Sequence, residues 1–201
     1  MSGLPSDSWR WVGGEAWCVT FTHGISPEEV LERYGADPAH AELFDLEEAR
    51  DFLHDGTALD VSRSALRVGS LGDWSFCYEE GSGVDGAMPE VLSVLSRGTE
   101  TFSVVLGGTG MNIFEHWSDR QCTELFEPGE PVSRTLSARR WWDAVQARLE
   151  AAGADHPGLG PVIEVIVAYM GVALDDSTVE GPLLTVLMED VEEPGPRQRS
   201  G

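Results

Sequence analysis

The stretch GDWSFCYEEG, residues 72–81, decides how the fold is read. Trp74, Phe76 and Tyr78 recur at every second position, with Ser75, Cys77 and Glu79 between them. Successive side chains of an extended strand point to opposite faces, so this pattern predicts a β-strand with one aromatic face. The preceding ALRVGSL, from Ala65, predicts its partner strand, with Gly72-Asp73 as a tight hairpin link. AWCVTFTHG repeats the alternation: Trp17, Val19 and Phe21 point one way, Cys18, Thr20 and Thr22 the other. Farther on, TFSVVL (101–106), MNIFEHW (111–117) and QCTELFE (121–127) predict an antiparallel meander. Its turns fall at Gly107-Gly108-Thr109-Gly110 and Ser118-Asp119-Arg120.

Helices are marked by their ends. In SPEEVLERYG, Ser26 is placed to cap, Pro27 to open the first turn, Glu29 to close a capping box and Gly35 to stop the helix. PEVLSVLSRG repeats the design from Pro89 to Gly98, and DLEEARDFLHDG predicts a third helix with Asp45 as cap. SARRWWDAVQARLEAAG carries Trp142, Val145, Leu149 and Ala152 on one face. LGPVIEVIVAYMG is apolar nearly all round and predicts a buried helix, while GPLLTVLMEDVEEP fits strand or helix equally. The expectation is an α+β fold: a mostly antiparallel sheet of about five to six strands, helices packed on one face. One domain is expected over residues 9–190, with flexible termini at 1–8 and 191–201.

Charge is the strongest compositional signal. Thirty-five acids face 13 bases, all of them Arg, for a formal net charge of −22. Phosphates would be repelled, which argues against nucleic acid and anionic membrane as partners and favours a basic protein partner or simple solubility. The acids are blocked: residues 28–55 hold ten acids against two Arg, and residues 175–193 hold seven acids and no base. Arg134, Arg139, Arg140 and Arg148, beside Trp141 and Trp142, form a basic island. The longest apolar run, residues 162–174, is too short and too broken to span a bilayer, and the first residues lack the order of a secretory signal. A cytoplasmic location is the expectation.

Candidate chemistry is sparse. The three Cys lie far apart and no His or Cys group has metal-ligand spacing, and Asp175-Asp176, which could bind a hard cation, are more simply helix-start residues, so no metal and no cofactor are expected. Cys77 stands two residues before Glu79, and Glu80 opens a turn. A nucleophilic Cys needs a base or a positive field, whereas carboxylates raise its pKa, so a structural role is favoured. His23 leaves the first strand; if that strand neighbours the one ending at Glu79, His23, Cys77, Glu79 and Glu80 would gather in a cleft at one sheet end. His116 and Glu115 alternate across a strand and do not share a site. For the basic island, Trp141 is read as core in preference to an exposed anchor beside Arg139 and Arg140; the candidate interface also takes Glu28, Glu32, Glu47 and Glu48 from the first acidic block.

Laid in order, WCVTFTHGISPEEVLERYGA, GDWSFCYEEG, PEVLSVLSRGTETFSV and GPLLTVL resemble a group of uncharacterised actinobacterial proteins that carry a domain of unknown function. The resemblance covers residues 17–126 and the segment near Gly181. It implies a cytoplasmic bacterial protein and supplies no catalytic residues.

Three functional readings follow. The preferred one is a non-enzymatic protein whose acidic surface meets a basic protein partner, an immunity-type inhibitor or defence-system component being one concrete form. The second is an enzyme or small-ligand binder using the cleft near Glu79. The third is a nucleic-acid mimic that blocks a DNA-binding protein.

Overall fold

The structure, a computed structural model, describes residues 10–13, 16–54, 63–81, 84–107, 112–130, 139–152 and 159–189. The expected flexible termini and most of the Gly107–Gly110 turn lie outside these residues. In chain order the described elements are β1 (Trp17–His23), α1 (Pro27–Tyr34), β2 (Glu42–Phe44), α2 (Leu46–His54), β3 (Arg63–Leu71), β4 (Trp74–Gly81), α3 (Pro89–Leu95), β5 (Glu100–Leu106), β6 (Asn112–Ser118), β7 (Gln121–Phe126), α4 (Arg140–Ala152), α5 (Gly160–Met170), α6 (Asp176–Glu180) and β8 (Leu183–Glu189).

The strands form one sheet in the order β2-β8-β3-β4-β1-β5-β6-β7, and every neighbouring pair is antiparallel. The α+β class and the antiparallel sheet are as expected, but the sheet has eight strands, not five to six. The two additions are β2, only three residues long, and β8, which the sequence left open between strand and helix.

The helices also depart from expectation, since they cover both faces. Trp17, Val19, Phe21, Trp74, Phe76 and Tyr78 pack with Trp141, Trp142, Ile163 and Ile166 of α4 and α5. On the other face Cys77, Leu66 and Val68 pack with Val30, Leu31 and Tyr34 of α1 and Leu92 and Leu95 of α3. Cys18, Thr20, Thr22 and Ser75 are therefore buried although they alternate with the aromatics. The sequence pattern sets large against small, not apolar against charged; small side chains let a second helical layer approach.

Local punctuation behaves as read at both ends of α1, whereas α3 ends at Leu95, before Gly98. Ser26 Oγ accepts the Glu29 N–H at 3.2 Å, and Gly35 ends α1 with φ of 92°. Glu29 does not complete the box; its carboxylate pairs with Arg33 at 2.6 Å. The full capping box is at α2, where Asp45 accepts the Glu48 N–H and Glu48 accepts the Asp45 N–H, each at 2.9 Å. Arg67 lies fully buried on the aromatic side of β3. It binds carbonyls of Phe44, Val179 and Gly181, tying β2 and the C-terminal end of α6 to the sheet.

Candidate functional site

Two polar clusters are built into the sheet, one on each face. The first surrounds Glu79. β4 sets Cys77 and Glu79 toward α1, and Glu79 is 1% exposed. Its oxygens accept the N–H groups of Asp85 at 2.8 Å and Gly86 at 2.6 Å, and the Tyr34 hydroxyl at 3.2 Å. Tyr34 in turn meets Thr20 at 2.9 Å, and Ser103 donates to the Gly86 carbonyl at 2.5 Å. Position 86 must be glycine for this packing: a Cβ there would lie 2.5 Å from Glu79 Oε1 and 2.6 Å from the Tyr34 oxygen.

Burial pushes the Glu79 carboxyl up to about 7, against the pull of the Gly86 N–H. Burial, and then the nearness of Glu79, pushes the thiols of Cys18 and Cys77 up as well. Protonated, enclosed thiols are poor nucleophiles, and the hydrogen bonds of Glu79 hold the backbone at residues 85–86 against the sheet. Glu80 points to the opposite face and pairs with Arg50 at 2.7 Å.

His23 does not join Glu79. β1 and β4 are indeed neighbours, but they run antiparallel: His23 stands opposite Trp74, and Glu79 stands opposite Cys18. The five residue steps from Cys18 to His23 separate the two sites by roughly 17 Å at about 3.4 Å per residue. The expected cleft of His23, Cys77, Glu79 and Glu80 is thus not formed.

His23 instead opens the second cluster, at the other end of the sheet. Its ring lies 4.9 Å from that of Trp74. A depression of about 480 Å³ here is lined by His23, Asp73, Trp74, Glu100, Tyr169 and Gly171, among others. An adjoining hollow shares His23 and Glu100 and adds Asp119. Glu100 is fixed from two sides: Tyr169 donates to Oε1 at 2.8 Å, and His116 Nε2 lies 3.2 Å from Oε2. His116 Nδ1 meets the Thr123 hydroxyl at 2.5 Å. Burial pushes the His116 ring below its ordinary pKa, with Glu100 opposing. Glu115 faces away, as expected, and accepts from Trp117 at 2.8 Å.

The interface candidates fall in three places. Trp141 is 4% exposed and fills the core, so it is not an exposed anchor. Arg139 is exposed and pairs with Asp143, while the Arg140 guanidinium lies 4.3 Å from the Trp141 ring centroid and 4.9 Å from that of Tyr169. Glu28 and Glu32 stand exposed on α1, against the Cys77 face; Glu47 and Glu48 stand exposed on α2. The Phe44–Phe52 ring contact and the Arg50–Glu80 pair place α2 against the aromatic face. The two acidic helices therefore cover opposite faces and do not form one flat patch.

Sequence reading missed Glu100 and Tyr169. They lie 69 residues apart on a strand and a helix that only the fold unites. Among the described residues, no three His, Cys, Asp or Glu side chains gather as metal ligands, and no helix is long and apolar enough to cross a membrane.

Residues 6–159 match the model of a family of unknown function, DUF6461. This agrees with the resemblance to proteins carrying an uncharacterised domain. No curated protein and no solved structure matches.

Proposed function

We propose that this chain, which belongs to the DUF6461 family of unknown function, is a non-enzymatic protein that binds a basic protein partner. The observation that carries the reading is the edge of the sheet at β2. There Phe52 of α2, 42% exposed, lies against Phe44 with Glu47, Glu48 and Asp51 exposed on the same helix, while Leu43, 65% exposed beside Glu42 on β2, alternates with Phe44 and so presents to the other face. Both arginines of the 28–55 block are already engaged, Arg33 with Glu29 and Arg50 with Glu80. Exposed apolar side chains set among carboxylates at this sheet edge suit a partner with apolar anchors set among Arg and Lys. The short edge strand and its charges also discourage indiscriminate strand pairing. An immunity-type inhibitor or defence-system component working in the cytoplasm is the concrete form this reading takes.

The test is capture from native lysate by the tagged chain at low and high salt, with Leu43→Ser/Phe52→Ser and Glu47→Lys/Glu48→Lys variants in parallel. A stoichiometric basic partner that is weakened by salt and lost from both variants is expected. A partner retained by both variants, or none at either salt, overturns the reading. A captured DNA-binding protein that DNA displaces would instead favour nucleic-acid mimicry.

A further inference from the structure

We propose that the depression around His23 is a receptor for one basic side chain of the partner, an arginine guanidinium or a lysine ammonium. This rests on the binding-protein reading above and gives it a second, distinct point of contact.

Several independent features of the depression favour an organic cation. Carboxylates stand on two sides of it, Asp73 in the β3–β4 turn and Glu100 at the start of β5, with Asp119 in the adjoining hollow. Glu100 is oriented in advance, because Tyr169 and His116 each hold one of its oxygens. α5 ends here at Gly171, whose φ of 74° turns the chain away. The carbonyl end of an 11-residue helix, with its partial negative charge, is thereby brought to the rim. The walls are aromatic: Trp74 and Tyr169 lie 6.0 Å apart at 69°, with the His23 ring on Trp74. Aromatic faces attract guanidinium and ammonium groups, and Arg140 already shows this from outside the depression, 4.9 Å from the Tyr169 centroid. A metal ion is the poorer fit, since no three ligating side chains converge among the described residues.

The full chain is titrated with N-acetylarginine amide and with its uncharged isostere N-acetylcitrulline amide, followed by amide and indole NMR. The charged probe is expected to move the Gly72, Trp74 and Gly171 signals saturably, and the neutral one to leave them in place. Asp73→Asn should weaken the charged probe roughly fivefold, the size of one exposed ion pair. Tyr169→Leu should weaken it by a similar factor, and Arg139→Gln should not weaken it. Equal responses to the two probes, no saturable response at these signals, or indifference to both Asp73→Asn and Tyr169→Leu overturns the proposal. A lysate partner held equally well by Asp73→Asn and Tyr169→Leu keeps the binding-protein reading and removes this depression from it. Probe binding in a chain that captures no partner keeps the cation site and removes the partner.

Discussion

Glu79 is a carboxylate carried into the interior of the sheet and answered there by two backbone N–H groups and one hydroxyl. Its folded value of about 7 lies above the ordinary 4.5, so the folded state holds the proton more tightly than the unfolded chain does. The stability contributed by Glu79 is therefore greatest at low pH, falls as pH rises from 4.5 to about 7, and is flat above. The whole swing is about 3 kcal/mol. Denaturant unfolding of wild type and Glu79→Gln across that window should show wild type losing about this much relative to the variant. A constant difference between them would mean that Glu79 does not titrate in this range. The alternation in residues 72–81 did reveal that Cys77 and Glu79 share a face. It could not reveal what covers them, because Tyr34, Asp85 and Gly86 arrive from other elements. Arg67 was equally hidden: a charged residue in an apolar strand carries no local sign that three distant carbonyls will receive it.

At the scale of elements, helix ends show where local reading succeeds and fails. Ser26, Pro27 and Gly35 are enough to bound α1, since the groups that satisfy its ends lie within it. α4 is different. Its first N–H groups, from Trp141 and Trp142, are accepted at 3.0 and 2.9 Å by Glu124, a buried side chain of β7. That cap lies 17 residues back and across a strand, out of reach of any local motif. Glu124→Ala should leave these donors buried and unanswered, at a cost of about 2 kcal/mol. Urea unfolding measures it, and a loss under about 0.5 kcal/mol would show that α4 does not depend on this carboxylate. Strands divide in the same way. β1 and β4 alternate large and small residues and were legible. β8 sends Leu183 to one layer and Val186 to the other, so its residues read as a continuous apolar run. β2, three residues long, gives no period at all.

Over the whole molecule, 35 acids against 13 bases dominate the electrostatics, and ion pairs among exposed groups, such as Arg139–Asp143 and Arg148–Glu164, offset little of the repulsion. Salt should therefore stabilise the protein. Raising it from about 0.01 M to about 0.15 M, which shortens the Debye length from about 30 Å to about 8 Å, should raise the midpoint of thermal unfolding. A falling midpoint would show that local ion pairs outweigh the net repulsion. The sheet order carries a consequence for how the molecule is made. β8 lies between β2 and β3, so two strands translated early are joined by one translated late. About 140 residues separate Phe44 from Leu183. At about 5–20 residues per second, the ribosome takes on the order of ten seconds or more to close that gap. During this time the free edge of β3 and the apolar side of β2 stand open to neighbouring nascent chains. The acids concentrated around β2 give the emerging polypeptide an electrostatic guard while it waits for its missing strand.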